Sequence, residues 1–589
     1  MATDRDLARN RLALGGFGAV AGLCLWLLFD RFDDFPGLER ILLLGGGIAI
    51  PLFGGVLAMT GPLAFGRALR AALPLAVVAG GLLLLASFRF ASVRDYLGAW
   101  HPVAAYLGVV CLIPPFLVAR ETGPGGWNDY AALFREAWSM VVRGATALLF
   151  VGVFWLVYAL SDTLLGLVDV DVLGDLAGEG WFAATLSGAV LGMALAVLNE
   201  LAAYLSPSLV LRLLRLLLPV VAAVVTLFLV LVPVRGLEDA FGGLSAAAVL
   251  LAMAIGAITL VAAALDDSDD MAAESPLMLG AAQLVSLLLP VLAGLAAYAV
   301  WLRVEQYGWT PDRLVAAVAA AAVMGYALLY AGSVALRGRW MARIRRGNVA
   351  MAVGIVAVAA LWLTPVINAE RLSAKNQVAR FAAGETPVAA LDLWSIGRDW
   401  GKPGKTALAE LRAMTDHPEH AVLMERLDAL ARAESRYAFA NALPADPERA
   451  ARLSERLRAA PDGRALPDGF VARLAPATQA WADESCARAL ADGSPGCTVL
   501  FADLVPAWAG EEALLFLDNP GRMGLRVRLL QAAPGGYRDA GDPLLYGARL
   551  ADMDPDVLIP ALRAGAFSIG TPDIPALRIE NGPTLVPRP

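Results

Sequence analysis

Eleven apolar stretches of roughly twenty residues each lie within the first 367 positions of this chain. A helix needs about 20 apolar residues to cross the hydrocarbon core of a bilayer. The sequence therefore predicts an α-helical polytopic membrane domain over residues 1–367. The predicted spans are 12–29, 41–60, 71–88, 102–119, 144–160, 183–200, 213–234, 243–265, 278–302, 314–336 and 348–367.

Residues 368–589 carry a different pattern, which predicts a soluble α+β domain. Ala, Leu, Glu and Arg first recur at helical spacing, and short apolar runs between turn residues follow after Cys497. We therefore expect helices first and a small β-rich unit last. The predicted helices are 369–383, 407–414, 421–437 and 446–459, and the predicted strands are 498–501, 513–517 and 525–530.

The amino-acid composition limits the kinds of partner that this protein is expected to bind. The mean hydropathy is +0.62 and 17% of the residues are charged, against about 25% in a typical soluble protein. The net charge is −7, and no basic patch with aromatic residues marks a soluble surface, so nucleic acid is not expected as a partner. Membrane lipids are expected instead. Abundant Ala, Gly, Leu and Arg with scarce Lys is typical of a high-GC bacterial coding sequence.

The arginine residues predict the orientation. Arg5, Arg9 and Arg11 precede the first span, which has no small-residue cleavage site after it and is expected to stay uncleaved. Cytoplasmic loops retain positive charge, and the densest cluster, at 337–346, falls on the same side as the N-terminus. An odd number of spans then puts residues 368–589 in the periplasm of an inner-membrane protein. The acidic loop 266–270 is the exception, because this scheme makes it cytoplasmic.

Two cysteines predict a disulfide in the soluble domain. Cys486 and Cys497 flank the turn-forming run Asp-Gly-Ser-Pro-Gly, and an oxidising compartment would join them. The alternative is a pair of free thiols. Cys24 and Cys111 lie in predicted spans, where a lone cysteine usually packs as a small apolar residue.

The loop between the ninth and tenth spans is the first candidate binding site. Arg presents a planar fork of donors that matches phosphate or carboxylate, so this loop could clamp an anion or a lipid headgroup. The structural alternative is a capped helix, with Thr310 before Pro311, flanked by aromatic residues at the membrane interface. The candidate residues are Arg303, Gln306, Tyr307 and Arg313.

The segment after the last span is the second candidate. Helical spacing puts most of its polar residues on one face, where they are expected to dock the tail onto the membrane domain by pairing with Arg303 or Arg313. The residues concerned are Glu370, Arg371, Ser373, Gln377 and Arg380.

These two segments resemble a known family. The Gln-Tyr-Gly-Trp-Thr run at 306–310, the segment from Asn368 to Arg380, and the stretch from Leu391 to Gly401 are similar to bacterial membrane proteins grouped as domain of unknown function 4153. The resemblance covers roughly residues 30–410. It implies a polytopic inner-membrane protein, and no catalytic residue can be carried over, because the family has no established activity.

Signals for an enzyme are poor. The chain has three His residues, and two of them lie in the tail, whereas a zinc site needs three or four such ligands. The sequence also lacks the common hydrolase, phosphate-loop and zinc-protease motifs. No cofactor and no metal are therefore predicted. An acidic loop holding Asp162, Asp169 and Asp171 is a candidate for transferase chemistry by its location only.

Three functions stay open from the sequence. The first is a non-enzymatic envelope protein whose periplasmic domain binds a ligand, a lipid headgroup or a protein partner. The alternative is a transporter or lipid-handling protein with an outer mouth at Arg303 and Arg313. The predicted spans hold almost no ionisable residue, which argues against an ion-coupled carrier but leaves lipid substrates open. The third and weaker hypothesis is a membrane-embedded transferase.

Overall fold

The computed structural model describes most of the chain. The residues it describes are 4–30, 37–168, 170–201, 208–235, 246–273, 275–442, 446–505, 507–508, 510–519, 524–533, 536–543, 553–570, 577–578 and 584–585.

Eleven helices in the described part of the chain are long and apolar enough to cross a membrane. Two short helices, α4 (Val93–Gly98) and α7 (Val172–Gly178), lie in connections between them. The predicted polytopic helical architecture is therefore confirmed. The eleven are α1 (Asp4–Asp30), α2 (Glu39–Met59), α3 (Phe65–Ser87), α5 (Trp100–Thr122), α6 (Tyr130–Gly166), α8 (Gly180–Glu200), α9 (Ser208–Arg235), α10 (Ala246–Leu265), α11 (Pro276–Tyr307), α12 (Pro311–Ala335) and α13 (Trp340–Trp362).

The chain forms two compact units, Met1–His417 and Pro418–Pro589. The sequence puts the domain boundary at residue 367, where the last span ends. The first unit continues beyond that point because α14 (Ala369–Ala382) packs on α12 and on α15 (Gly401–Arg412). We call the end of the helical bundle that carries α14 the α14 end, and the other the opposite end.

Ion pairs at the opposite end account for the acidic loop that did not fit the orientation scheme. Asp266 pairs with Arg215 of α9, and Asp269 lies 2.5 Å from the guanidinium of Arg345 in α13. Asp267 lies 3.8 Å from the guanidinium of Arg135 in α6, so three of the four carboxylates of this loop face an arginine from the same end of the bundle. These pairs offset most of the negative charge of the loop.

Glycines bring α1 and α8 into backbone contact. Cβ atoms added at Gly18 and Gly188 would each overlap the carbonyl oxygen of the other residue, and one at Gly22 would overlap that of Ala184. Small residues at a helix interface allow such close approach within a membrane, where packing rather than the hydrophobic effect drives association. The two helices are therefore held together by a seam in which only glycine fits.

The second unit contains a five-stranded sheet in the order β1-β2-β3-β4-β5. β1 and β2 are parallel, and the remaining pairs are antiparallel. The strands are β1 (Arg458–Ala460), β2 (Cys497–Ala502), β3 (Glu512–Asp518), β4 (Leu525–Ala533) and β5 (Gly536–Gly541). Two further two-residue strands, β6 (Leu577–Arg578) and β7 (Thr584–Leu585), pair with each other.

Helices cover both faces of this sheet. Val499 and Leu515 face a core shared with Leu453 and Phe470, whereas Val527 packs on the other face near Ile559. The first face is covered by α18 (Pro447–Arg456) and α19 (Pro476–Cys486), and the second by α20 (Pro555–Arg563). The unit also contains α16 (His420–Arg432) and α17 (Arg436–Ala442). Because both faces are covered, every residue of β2 is buried.

The soluble part agrees with the predicted order of helices followed by a small sheet. The predicted disulfide is present: Cys486 at the end of α19 is bonded to Cys497 at the start of β2, with Cα atoms 4.9 Å apart. The sequence analysis missed α19, α20, β1 and β5, and its predicted helix 446–459 runs past the end of α18 into β1. It also ran the segment 421–437 together as one helix, whereas the structure has α16 and α17 there.

Replacing Gly18 by Leu should destabilise the membrane unit. The new side chain has no room against the backbone of α8, so we expect a loss of at least about 3 kcal/mol, the upper end of typical overpacking costs. Thermal unfolding in mild detergent measures this. Gly16→Leu is the matched control, since a Cβ there meets no atom within 4 Å. Equal unfolding midpoints for the two variants would contradict the backbone contact between α1 and α8 at Gly18.

Candidate functional site

A buried arginine organises the α14 end of the bundle. Arg89, which follows α3, is 8% exposed, and its guanidinium donates to the carbonyl oxygens of Trp362, Thr364 and Ile367. These carbonyls lie at and just beyond the C-terminus of α13, where unpaired oxygens carry partial negative charge. Arg89 therefore joins the end of α3 to the end of the last span.

Glu370 completes this polar cluster from α14. Its carboxylate is 1% exposed and accepts from the Arg89 guanidinium at 3.4 Å. Its other oxygen lies 3.5 Å from Nε2 of His101, while Nδ1 of His101 accepts from the Trp362 indole at 3.0 Å. Because Nδ1 is an acceptor, the neutral imidazole carries its proton on Nε2, toward Glu370.

Three buried polar atoms beside this cluster have no hydrogen-bond partner among the described residues. They are Oε1 of Glu370, the Ser373 hydroxyl and the Tyr96 hydroxyl. Burial raises the pKa of Tyr96 well above its usual range, so the phenol stays neutral. Buried polar groups are normally satisfied, and unsatisfied ones gathered in one place mark a candidate site.

The backbone near α15 closes over Arg89. The carbonyl oxygen of Arg89 accepts from the amide of Lys402 at 2.8 Å. Gly401 beside it has φ +55, and a Cβ there would lie 2.7 Å from that oxygen. The aromatic-glycine stretch noted in the sequence therefore ends at a position that requires glycine.

α14 also contacts the loop between α11 and α12. The Gln377 side chain donates to the carbonyls of Tyr307 and Trp309, and Asn376 accepts from the Trp309 amide. Gly308 has φ +74, and a Cβ there would lie 2.6 Å from Nε2 of Gln377. The side chains of α14 thus bind the backbone of this loop.

The structure places the predicted loop residues together on the surface. The guanidinium groups of Arg303 and Arg313 lie 5.8 and 5.2 Å from the ring centre of Tyr307, within cation–π range. Arg313 also donates to the carbonyls of Tyr307 and Gly308. Gln306 is exposed beside them.

One expectation is corrected here. The polar face of α14 was expected to pair with Arg303 or Arg313, and its Glu370 pairs with Arg89 instead. The physical reason is that the Arg313 guanidinium is already bonded to loop carbonyls. Of the other predicted docking residues, Ser373 is buried, Arg380 pairs with Glu385 at 3.3 Å, and Arg371 is exposed.

An apolar cavity of about 840 Å³ lies between α5, α10, α12 and α13. Ile258, Val318 and Ile355 are among its lining residues, and His101 and Trp362 line it at the α14 end. On α12 the lining runs from Val315 to Tyr326, which is about 16 Å of helix at 1.5 Å per residue. The cavity thus reaches about halfway through a hydrocarbon core of about 30 Å.

Other sequence candidates lie apart from this site. Asp162 is in α6 and Asp171 precedes α7, whereas Asp169 is outside the described residues. His417 stacks on Phe381 and bonds its carbonyl. In the part of the chain that the structure describes, no three His, Cys, Asp or Glu side chains are placed to hold a metal ion.

Sequence reasoning did not single out Arg89 or His101. Arg89 is one of two arginines in the short connection between the third and fourth spans. The available signal was its position directly after a span on the side where the orientation rule disfavours arginine. An arginine there needs a specific partner, which the chain supplies some 280 residues later.

Together these features define a polytopic membrane protein with a polar cluster and an apolar cavity at one end. The model of the family described as "Domain of unknown function (DUF4153)" matches residues 52–410, more than half of the chain. The chain belongs to this family, as its sequence resemblance predicted. No curated protein and no solved structure matches the chain.

Replacing Arg89 by Met should destabilise the fold, because it leaves the Glu370 carboxylate buried without its partner. Breaking a buried ion pair in this way costs about 3–5 kcal/mol. Thermal unfolding in detergent provides the measurement, with Arg371→Met, an exposed arginine on α14, as the control. The double variant Arg89→Met, Glu370→Leu should recover part of the loss, and no recovery would argue against direct coupling of the two side chains.

Proposed function

We propose that this protein binds a lipid-like ligand in the cavity between α5, α10, α12 and α13. The observation that carries the proposal is the cavity itself, which is apolar, extends over about one leaflet and ends at His101 and Trp362. Its volume of about 840 Å³ lies within the usual range for ligand sites, roughly 300–1,000 Å³. A long apolar chain matches this lining better than a polar solute does.

The proposal favours lipid handling among the three functions that the sequence leaves open. It moves the mouth of the site from Arg303 and Arg313 to the cluster of Arg89, His101 and Glu370. Arg303, Tyr307 and Arg313 then serve as surface contacts for the headgroups of bilayer lipids outside the cavity, and not for the ligand within it. Their two guanidinium groups over one exposed ring support that role.

We further propose that the α14 end faces the periplasm and that the N-terminus is cytoplasmic. Arg215, Arg343 and Arg345 lie toward the opposite end, where positive charge is expected in the cytoplasm. The acidic loop that argued against this orientation is paired with two of these arginines. The disulfide in the second unit is consistent with an oxidising compartment.

Filling the cavity tests the proposed ligand site. Gly354 lines it, and a Cβ at this position meets no atom within 4 Å, so Gly354→Phe should occupy the space without unfolding the bundle. We expect lipid retained after purification in mild detergent to fall at least tenfold by native mass spectrometry, with an unchanged thermal midpoint. Val353→Phe, on the adjacent 43% exposed residue, is the control. Equal retention in both variants would refute the site.

Reporter fusions test the orientation. Alkaline phosphatase fused after residue 589 should be active, because that enzyme folds in the periplasm. Green fluorescent protein fused after residue 589 should stay dark, because it does not fold after export to the periplasm. The same reporter fused before residue 1 should fluoresce. The opposite pattern would reverse the orientation and place the polar cluster on the cytoplasmic side.

A further inference from the structure

Acidic groups dominate the polar end of the cavity. His101, which lines it, has Glu370 and Asp312 as its neighbouring carboxylates and Arg89 as its neighbouring guanidinium. Asp312 accepts a hydrogen bond of 2.9 Å from the indole of Trp100, another lining residue. Carboxylates therefore outnumber guanidinium groups two to one around His101. Arg313, which follows Asp312 in the chain, has its guanidinium bonded to the carbonyls of Tyr307 and Gly308.

The described residues that line the cavity offer no free cation to an anionic headgroup. The guanidinium of Arg89 already bonds to Glu370 and to three carbonyl oxygens. Among the described residues that line the cavity, none is Arg or Lys. A phosphate or carboxylate at this end would therefore meet repulsion without a paired charge.

One buried acceptor lies directly behind the lining residue His101 instead. Oε1 of Glu370 is buried and has no hydrogen-bond partner among the described residues, and the His101 Nε2 atom lies 3.5 Å away. An ionised carboxylate can accept several hydrogen bonds, and leaving an oxygen buried and unbonded is costly. A ligand that donates a hydrogen bond near this point would reduce that cost.

We infer that the ligand is a long-chain lipid whose polar end donates hydrogen bonds and carries no negative charge. This inference rests on the proposed lipid-binding function and specifies the headgroup. Two kinds of headgroup meet this requirement, one that ends in a neutral hydroxyl and one that ends in an ammonium group. The carboxylates of Glu370 and Asp312 recognise it, and the apolar lining takes the chain.

Titration with three probes that share one C18 chain tests the inference. Oleyl alcohol, oleylamine and oleyl phosphate are added to delipidated full-length protein in mild detergent, and binding is measured by native mass spectrometry. We expect the alcohol and the amine to bind at least tenfold more tightly than the phosphate. Tighter binding of the amine than the alcohol identifies charge as the main determinant, and the reverse identifies the hydrogen bond.

Two variants examine the acidic residues. Asp312→Asn removes a negative charge and keeps an oxygen that can accept the hydrogen bond from Trp100. Glu370→Gln removes the buried negative charge and keeps an oxygen that can accept from Arg89. Each should lower the preference for oleylamine over oleyl phosphate about tenfold. If Glu370→Gln does not fold, Asp312→Asn carries the test alone, because its side chain is exposed.

The outcomes separate the two proposals. Binding of oleyl phosphate as tight as that of the other probes, with an unchanged preference in Asp312→Asn, overturns the headgroup inference and leaves lipid binding in place. Failure of all three probes, together with retained lipid that Gly354→Phe does not reduce, overturns the proposed function as well.

Discussion

The burial of one positive charge governs how the first unit is arranged. The guanidinium of Arg89 cannot lie among apolar helices without acceptors, and its acceptors come from the end of α13 and from α14. Satisfying this one group therefore fixes where the last span ends and where the chain goes next. The contact between Glu370 and Arg89 helps to hold α14 on the bundle. The same carboxylate lies 3.5 Å from His101, which lines the cavity.

Within the bundle the sources of stability differ from those in the second unit. Apolar helices gain little from contact with each other rather than with lipid, so close packing and a few polar contacts decide which helices associate. The glycine seam of α1 and α8 is one such contact, and the arginine–aspartate pairs at the opposite end are another. The second unit relies instead on a buried sheet covered by helices and on a disulfide.

The sequence predicted features that depend on local pattern. Spans follow from runs of apolar residues, the sheet of the second unit from short alternating runs, and the disulfide from two cysteines around a turn. Features that depend on distant partners were not accessible: Glu370 was singled out, but its partner Arg89 lies 281 positions away. The cavity was also invisible, because residues such as Ile258 and Ile355 look like any other span residue. The helices α19 and α20 have only 11 and 9 residues, which leaves few turns in which a helical period can be recognised.

The seam between α1 and α8 also has a consequence for the order of events during synthesis. Gly188 is made about 170 residues after Gly18. At roughly 5–20 residues per second, the first helix spends about 10–30 s in the membrane before this backbone partner emerges. Over that interval α1 exposes a bare glycine face to lipid and to any other small-residue helix nearby. A chaperoning insertase that shields this face until α8 arrives would raise the yield of correctly assembled protein.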